Sequence, residues 1–397
     1  MNVLSAFCNF FFQYYLESFL LEIKLQRDLF FNALQSLQGV VETKATSMPI
    51  LQNVLIETLS GKKSISVSGT NLDISLKGNI DAEVMKAGKL TLNARKLFDI
   101  IRELSPGGIV TLVAEENQRV KIEGGNAKFS LPSLPYSDFP SMPDKAETKP
   151  HKIPAKKLSE MIKRTMFAIS QDETRYTYNG VFMESENQIL RLVATDGHRL
   201  ALIEREEKGI QLANGVILHK KGLGELTKLL QADEDKDEEV SVFITENHAI
   251  FVTANNELSA RLIEGEFPKY QQVIPDSDEH HTVIIDRNDL LSALRRVSLF
   301  SSDTRLVKFT FKKGTLNLST SGSEFGEADE SVECDFSEKE LTIGFNYRYC
   351  TDVLSILTEN NIAIEIKDAL SPGVFRPSSE NSPSDDKYTY VVMPMRV

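Results

Sequence analysis

The sequence lacks the features of a membrane protein and of a disulfide-rich or zinc-binding protein. In its 397 residues no apolar run reaches the roughly 18 to 20 uncharged residues that a membrane-spanning helix needs. Its three cysteines, Cys8, Cys334 and Cys350, lie far apart and form no C-x-x-C pair, so neither a zinc site nor a disulfide framework is predicted. Cysteine usage of this kind is typical of the reducing cytoplasm, where we expect this protein.

Sequence motifs of nucleotide-binding and hydrolytic enzymes are also missing. The chain contains no P-loop, G-x-G-x-x-G, H-E-x-x-H or G-x-S-x-G pattern. The glycines of GLGELTK at 222–228 have the wrong spacing to bind a phosphate, and the related segments described below lack them. We therefore expect no cofactor and no metal.

The N-terminal residues 1–21 are rich in aromatic side chains and contain no basic residue before Lys24. A signal peptide would begin with basic residues and end in a small-residue cleavage site, and both features are missing. The segment is interpreted as an extension, which is either an additional packed helix or the product of a start codon placed too far upstream.

Basic residues are outnumbered by acidic ones. The chain has 45 Lys and Arg against 57 Asp and Glu, a net charge of −12, while 41% hydrophobic and 26% charged residues are typical of a soluble globular protein. The total charge alone argues against binding to nucleic acid, because contacts to phosphate require Lys and Arg. The distribution of the charge matters more than its sum.

Three copies of one sequence unit are present. FDIIREL at 98–104, GELTKLL at 224–230 and TDVLSIL at 351–357 align without gaps, at spacings of 126 and 127 residues. RDLFFNALQSL, KKLSEMIKRTM and RNDLLSALRRV precede them in the same order. Each unit therefore has about 125 residues, the size of a single domain. Apolar residues at three- and four-residue spacing predict two helices in each unit, and alternating patterns predict the strands.

The fold class is therefore α+β, with three tandem domains that each pack two helices on a sheet. Polar, turn-rich stretches separate them, and we predict domains at 22–147, 148–275 and 276–397. The acidic run DEDKDEE at 233–239 is interpreted as a solvated loop. A Ser/Pro-rich stretch at 371–387 is predicted to begin as a strand and to end as a loop.

Positive charge is concentrated on the predicted helices. Together these helical segments contain 15 Lys or Arg and 7 Asp or Glu, which gives them a net charge of +8 and leaves −20 for the rest of the chain; they are 27–41, 93–104, 155–166, 220–230, 287–297 and 346–357. Exposed helices commonly carry charges of both signs, so this pattern has an ordinary structural explanation. If all helices face one way, however, that face would attract a polyanion without reading bases.

LVATDGHRLALIE at 192–204 places Asp196, His198 and Arg199 in one turn between two strands. An enzyme interpretation makes His198 a general base oriented by Asp196. Against it, the same position recurs as GTNLDIS around Leu72 and SGSEFGE around Phe325. A turn that recurs in every copy is more simply explained by a structural role than by catalysis, and Gly197 suits its tight backbone.

Longer motifs identify a family. TRYTYNG followed by VATDGHRLA, together with MPILQNVLIE, FSLPSLPYSDFP, GFNYRYCTDVL and the terminal YVVMPMRV, closely resembles the bacterial DNA polymerase sliding clamp, the β subunit of DNA polymerase III. The resemblance covers about residues 22–397. It implies a head-to-tail homodimer whose six similar domains form a ring around double-stranded DNA. It also implies a processivity subunit that tethers the polymerase and performs no chemistry itself.

The resemblance further implies a groove for partner peptides between the second and third domains. The peptides would come from the replicative DNA polymerase α subunit, the clamp loader and other replication or repair proteins. The groove residues carried over by motif are Tyr178, Thr195, Gly197, His198, Arg199, Leu200, Pro268, Val273, Asn346, Tyr349, Val391, Met393, Pro394, Met395 and Arg396. Tyr178 stands where many relatives carry Leu, and Gln272 where some carry a basic residue, so peptide preference is expected to differ.

Two further sets of residues follow from the resemblance. For the dimer interface we expect Leu299 and Phe300 of one chain to meet Phe129 and Leu131 of the other. The residues expected to face DNA are Lys44, Arg95, Lys96, Lys163, Arg164, Arg175, Tyr176, Lys220, Lys221, Arg295, Arg296 and Arg348. DNA contacts would be independent of base sequence.

Two other functions remain open at this point. A hydrolase centred on Asp196 and His198 would turn over a substrate, and its activity would depend on the imidazole. A monomeric scaffold would bind peptides but no DNA. The sliding clamp differs from both because it predicts a dimer retained on closed circular DNA and lost from linear DNA.

Overall fold

The computed structural model describes residues 21–44, 46–61, 63–145, 149–207, 210, 212–232, 238–275, 280–323, 326–378 and 386–397. Several sequence-based predictions fall outside these ranges. They are the extension up to residue 20, the centre of the acidic run, the Ser/Pro-rich residues 379–385, the predicted domain boundaries at 147 and 276, and the third copy of the turn at 324–325.

The predicted helices are confirmed. They are α1 (Arg27–Leu37), α2 (Ala94–Glu103), α3 (Ala155–Met166), α4 (Lys220–Ala232), α5 (Arg287–Val297) and α6 (Tyr347–Ile356). The first ends at Leu37 rather than at 41, because the chain turns through Gly39 and the amides of Val40 and Val41 both bond to the Leu37 carbonyl. Short 3₁₀ helices lie at Pro49–Gln52, Tyr136–Asp138, Tyr176–Tyr178, Tyr270–Val273 and Ser298–Phe300.

Strands make up most of the remaining regular structure. Up to residue 154 they are β1 (Glu22–Gln26), β2 (Asn53–Thr58), β3 (Ser64–Thr70), β4 (Ile74–Asp81), β5 (Glu83–Lys86), β6 (Lys89–Asn93), β7 (Ile109–Ala114), β8 (Arg119–Gly124), β9 (Ala127–Pro132) and β10 (His151–Pro154). From there to residue 263 they are β11 (Gly180–Glu186), β12 (Ile189–Thr195), β13 (Arg199–Glu206), β14 (Leu212–His219), β15 (Glu239–Ile244), β16 (His248–Val252) and β17 (Asn256–Ile263). The last group is β18 (His281–Asp286), β19 (Leu306–Lys312), β20 (Thr315–Ser323), β21 (Gly326–Asp335), β22 (Leu341–Asn346), β23 (Asn361–Ile366), β24 (Gly373–Ser378) and β25 (Asp386–Val392).

The chain forms two compact units. The first contains residues up to Lys156 together with Gly224–Arg261, and the second contains Lys157–Leu223 with Leu262–Val397. In the first unit one sheet has the strand order β5-β1-β7-β8-β9. A second sheet in that unit runs β6-β2-β3-β4-β17-β16-β15-β10. All of these pairings are antiparallel, which suits sheets with one face on a helix layer and one face in solvent.

The second unit contains the sheet that positions the candidate site. Its order is β14-β11-β12-β13-β25-β24-β23-β18, and a further sheet runs β22-β19-β20-β21. Strand β13 pairs with β25 from Arg199 opposite Val392 to Arg205 opposite Asp386. This ladder joins residues predicted for the second domain to the C-terminal strand. Arg205, whose side chain is 8% exposed, adds an ion pair to Asp386.

Two arginines at equivalent helix starts cap the end of a neighbouring helix. Arg27, the first residue of α1, donates from Nε to the Ile101 carbonyl (2.9 Å) and from Nη2 to the Arg102 carbonyl (2.5 Å), at the end of α2. Arg287, the first residue of α5, donates from Nε to the Glu359 carbonyl (2.8 Å) and from Nη1 to the Leu354 carbonyl (3.0 Å), at the end of α6. A guanidinium satisfies carbonyls that a helix end leaves without partners and favours its negative dipole end.

Replacing Arg27 by Met should therefore destabilise the first unit. Met keeps an apolar side chain of similar reach, but it leaves the buried Ile101 carbonyl and the partly buried Arg102 carbonyl without these donors. We expect a loss of about 2 to 3 kcal/mol in the free energy of unfolding. Arg95→Met is the matched control, because Arg95 is exposed and its ion pair with Asp99, at 3.5 Å, is a surface contact. It should change that free energy by less than about 0.5 kcal/mol. Chemical denaturation measures both, and equal effects of the two substitutions would contradict the capping role.

Candidate functional site

A hydrogen-bonded turn joins β12 to β13 in the second unit. The Thr195 hydroxyl donates to the Arg199 carbonyl (2.6 Å) and accepts from the Gly197 amide (3.1 Å). One carboxylate oxygen of Asp196 accepts from the amides of His198 (2.9 Å) and Arg199 (3.1 Å). The side chains of Thr195 and Asp196 thus hold the turn closed, and Gly197 takes a φ of +88°, a conformation that glycine adopts without strain.

The equivalent turn of the first unit has the same bonds. There the Thr70 hydroxyl donates to the Ile74 carbonyl (3.0 Å) and accepts from the Leu72 amide (3.0 Å), while Asn71 replaces the aspartate as acceptor. Leu72, at the position of Gly197, has a φ of +77°. The sequence-based interpretation of a shared structural turn is confirmed for these two copies.

This geometry leaves Asp196 unsuited to orient a catalytic histidine. Its carboxylate binds the backbone amide of His198 through Oδ1 and the Nε of Arg199 through Oδ2 at 3.0 Å. The His198 ring instead stacks on the Tyr349 ring, with centroids 6.5 Å apart. The turn therefore provides no acid–base pair for the hydrolase interpretation.

The Arg199 guanidinium connects three separate parts of the unit: the turn, α6 and the end of α3. Its Nε donates to Asp196 (3.0 Å), its Nη1 to Asp352 on α6 (2.5 Å) and its Nη2 to the Phe167 carbonyl just after α3 (2.8 Å). The same group lies over the Tyr349 ring, 4.6 Å from its centroid. Only 9% of the side chain is exposed, so these contacts are shielded from water. Hydrogen bonds are stronger there, and an unpaired polar group costs more free energy.

Opposite influences act on the protonation of Arg199. Burial lowers the pKa of the guanidinium, but the neighbouring Tyr390 and Asp352 raise it by more, so the pKa stays above its ordinary value. Arg199 is therefore a permanent cation that fixes the relative positions of the turn and α6.

An apolar pocket lies on one side of this guanidinium; we call it the apolar groove. It encloses about 190 Å³ and is lined by Tyr178, Thr195, Gly197, Arg199, Leu200, Pro268, Lys269, Tyr270, Val273, Val391 and Met393. Beneath it lies a buried cluster that includes Val193, Leu202 and Val374. The Met393 amide donates to the His198 carbonyl at 2.9 Å, which holds the C-terminal chain beside the turn.

Two residues of the apolar groove were missed by sequence reasoning. Lys269 and Tyr270 follow the predicted Pro268 directly and enter the 3₁₀ helix Tyr270–Val273. The Tyr270 hydroxyl donates to Glu184 at 2.5 Å, and burial, aided by that carboxylate, raises the pKa of the phenol. The position of Tyr270, two residues after the predicted groove residue Pro268, could have indicated that its side chain lines the groove.

A second cavity, the charged cleft, lies on the other side of Arg199. It has a volume of about 450 Å³ and is lined by Ile169, Ser170, Gln171, Asp172, Arg175, Asp196, His198, Arg199, Arg305, Arg348, Tyr349 and Asp352. Of the predicted groove residues, His198 and Tyr349 line this cleft, and Arg199 lines both cavities. Burial, followed by the nearby Asp196, raises the pKa of the Tyr349 phenol.

Four predicted groove residues line neither cavity. Asn346 accepts from the Arg348 amide as the N-cap of α6, and Met395 donates from its amide to the Gly344 carbonyl at 2.8 Å. Pro394 and Arg396 lie in the same terminal segment after β25. The structure therefore brings together the core of the predicted groove but not its whole C-terminal side.

Most residues expected to face DNA are exposed or partly exposed, with one correction. Arg164 has a side chain only 10% exposed, which pairs with Glu160 (3.0 Å) and Glu359 (2.9 Å), while its carbonyl accepts from Tyr388 (3.0 Å). The prediction that Arg164 faces DNA is wrong, because the basic end of α3 packs against the C-terminal strand. Arg296 is exposed but forms an ion pair with Glu330.

The residues expected at the dimer interface lie on accessible elements. Phe129 and Leu131 are partly exposed on β9, the last strand of its sheet. Leu299 is 77% exposed in the 3₁₀ helix after α5, beside the partly exposed Phe300. Among the residues that the structure describes, no group of three or more His, Cys, Asp or Glu could hold a metal ion, and no helix is long and apolar enough to cross a membrane.

Comparison with known families identifies the family of the chain. It matches the DNA polymerase III beta subunit in all three of its domains: the N-terminal domain at residues 21–143, the central domain at 152–269 and the C-terminal domain at 271–396. The chain belongs to the DNA polymerase III beta subunit family. The resemblance and the threefold repeat predicted from the sequence are both confirmed.

Individual beta subunits resemble the chain over nearly its whole length. It is 32% identical over 381 residues to the beta sliding clamp of Pseudomonas putida, covering 94% of this chain and 99% of that one. It is 30% identical to the beta sliding clamp of Escherichia coli over 380 residues, covering 95% and 100%. A sliding clamp from Bartonella birtlesii, solved bound to griselimycin, superposes with a TM-score of 0.87 at 35% identity, covering 95% of this chain and 100% of that one. The Caulobacter crescentus clamp gives a TM-score of 0.88 at 32% identity, with 96% and 100% covered.

In this beta subunit, Arg199→Lys should lower the free energy of unfolding of the second unit by about 2 to 3 kcal/mol, because an ammonium cannot reproduce the planar set of donors and leaves buried acceptors unpaired. Arg175→Lys is the control, since the Arg175 side chain is 55% exposed and should tolerate the change within about 0.5 kcal/mol. Denaturant unfolding followed by near-ultraviolet absorption of the tyrosines tests both. No difference between the variants would contradict the connecting role of Arg199.

Proposed function

We propose that this beta subunit works as a ring-shaped sliding clamp that encloses double-stranded DNA and tethers the replicative DNA polymerase. The family membership of the chain carries this proposal, and its relatives are named as sliding clamps, not for a catalytic activity. Two chains would associate head-to-tail, each contributing domains at 22–147, 148–275 and 276–397. A head-to-tail contact gives a closed ring when its rotation closes.

Exposed features of the two units support this assembly. Strand β9 carries Phe129 and Leu131 at an edge of its sheet, where backbone groups can pair with another chain. Leu299 is exposed although a large aliphatic side chain gains free energy from burial. We propose that Leu299 and Phe300 of one protomer cover Phe129 and Leu131 of its partner.

DNA would be held by charge and topology together. The residues proposed to face the duplex are those predicted above without the buried Arg164 and without Arg348, which we assign to the charged cleft. They are Lys44, Arg95, Lys96, Lys163, Arg175, Tyr176, Lys220, Lys221, Arg295 and Arg296. Contacts of Lys and Arg to phosphate carry no base specificity. A closed ring does not depend on tight contacts for retention, which is compatible with a net charge of −12.

The apolar groove is the proposed docking site for peptides of the polymerase α subunit, the clamp loader and other replication or repair proteins. Its walls combine aliphatic and aromatic side chains with the adaptable Met393 and the polar edge of Lys269 and Thr195. Such a lining suits short peptides that differ in their apolar side chains. We propose that the protein is cytoplasmic, because a clamp of this family would act on DNA in that compartment.

Retention on DNA tests the ring. The wild-type protein, loaded by its clamp loader, should remain on closed circular DNA through gel filtration and leave once the circle is cut. Leu299→Asp should reduce dimer formation and retention, because it places a charge in the proposed contact. Leu370→Asp is the matched control, since Leu370 is 79% exposed against 77% for Leu299. Equal retention on circular and linear DNA would rule out the ring.

Primer extension tests the apolar groove separately. Met393→Asp should leave retention on circular DNA unchanged and abolish processive synthesis by the replicative polymerase, because it places a charge in an apolar site. Met85→Asp is the control: Met85 on β5 has a similar exposure, 46% against 41% for Met393, and lies outside the groove. Processive synthesis by the Met393→Asp ring would show that the polymerase docks elsewhere.

A further inference from the structure

The charged cleft differs in chemistry from the apolar groove, although both use Arg199. Four guanidinium groups, those of Arg175, Arg199, Arg305 and Arg348, line it together with three carboxylates. Here the pairing is uneven, because Arg199 alone takes two of the three carboxylates.

The carboxylates of the charged cleft are already engaged. Asp196 bonds the turn and Arg199, and Asp352 bonds Arg199 at 2.5 Å. Asp172 accepts from the amide and hydroxyl of Thr174 at 3.0 and 2.6 Å, and these bonds lower the pKa of its carboxyl. Arg175 reaches Asp172 only at 4.0 Å.

Among the described residues, Arg348 lacks a counter-charge because Asp352 binds Arg199. Arg95 and Arg348 occupy the same position in equivalent helices, α2 and α6, two residues after the capping asparagines. Arg95 pairs with the aspartate four residues on, Asp99, at 3.5 Å. The corresponding partner of Arg348 is Asp352, whose carboxylate binds Arg199 instead. Within the described part of the chain, Arg348 has no ion-pair partner.

Arg305 adds a second unpaired cation next to it. Its backbone has a φ of +61°, a conformation that costs a residue with a side chain about 1 kcal/mol. Bonds from its amide to the Ser302 carbonyl (2.9 Å) and from the Tyr347 amide to its own carbonyl (3.0 Å) hold it there. Strained residues of this kind concentrate at binding sites. No ion pair to Arg305 occurs among the residues that the structure describes.

We propose that the charged cleft binds an acidic stretch of the same partner peptide whose apolar residues fill the apolar groove. The unpaired Arg305 and Arg348 supply the positive charge. Arg199 lines both cavities, so one extended segment passing over the stacked His198 and Tyr349 rings reaches from one to the other. This inference rests on the proposed docking function of the groove and specifies the sequence that the groove selects.

Continuity with the groove favours a peptide over a nucleic-acid phosphate as the occupant. A DNA backbone could also bind two arginines, but it would need no adjoining apolar pocket. An acidic peptide gains from both cavities at once, since the apolar part supplies burial and the acidic part supplies orientation. The DNA alternative becomes an outcome of the experiment below.

Synthetic peptides provide the test. Each carries a Leu-Phe pair as an apolar anchor and a fluorescent label, with a short run of Asp or of Asn placed before or after the anchor. Fluorescence anisotropy measures their affinity for the full-length dimer. One of the two Asp peptides should bind about five- to tenfold more tightly than its Asn counterpart at low salt, and high salt should reduce that difference.

Paired variants locate the effect. Arg305→Ala combined with Arg348→Ala should remove the advantage of the Asp peptide and leave the affinity for the Asn peptide unchanged. Arg95→Ala, at the position equivalent to Arg348 in the first unit, should preserve the advantage. Circular dichroism confirms that each variant is folded.

The results separate this inference from the function on which it rests. If no peptide binds the wild type, the proposed docking function of the groove fails. If Asp and Asn peptides bind equally, or if Arg95→Ala also removes the difference, docking stands and the acidic preference is refuted. A double variant that keeps the Asp advantage but loses retention on circular DNA would assign Arg305 and Arg348 to phosphate contacts and overturn the proposal.

Discussion

The candidate site depends on the buried Arg199 guanidinium. A planar cation with donors in fixed directions can hold the Asp196 turn, the end of α3 at Phe167 and the α6 side chain of Asp352 together, which a flexible ammonium cannot do. Arg199 also lines both cavities. Because Asp352 binds Arg199, Arg348 on the preceding turn of α6 is left without its counter-charge. One interaction therefore borders the apolar groove and sets the charge of the cleft.

The repeated units show how one backbone serves different purposes. The turn at Thr70 and the turn at Thr195 share their hydrogen bonds and the positive φ at their centre. In the first unit Leu72 occupies that centre and the acceptor is a neutral asparagine. In the second unit Gly197 and Asp196 replace them, and the aspartate gains a second role as an acceptor for Arg199. The two turns therefore share their hydrogen bonds to the backbone, and the contact to Arg199 comes from the side chain of Asp196 in the second unit.

Sequence reasoning performed best where a residue's role is local. Apolar residues at helical spacing, such as Leu29, Ala33 and Leu37, located the six helices of the described residues. The buried face of α1 is nevertheless formed by Phe30, Leu34 and Leu37, and Leu29 is 43% exposed. It performed less well where a role depends on a distant partner. Arg164 is the second of two adjacent basic residues near the end of α3, as Arg296 is near the end of α5. Arg296 is exposed, yet Glu359 and Tyr388 bury Arg164. Lys269 and Arg305 were missed because their neighbours in space are remote in the chain.

The sequence by itself determined the threefold repeat, the α+β class, the family and the turn at 195–199, since each depends on short-range spacing or on long ordered motifs. Only the tertiary structure decided which charges are neutralised. The β13–β25 ladder brings Val391 and Met393 beside the turn, and the packing of α6 assigns Asp352 to Arg199 rather than to Arg348. Ion pairing acts over a few ångströms between residues more than a hundred positions apart, a relation that neither periodicity nor composition records.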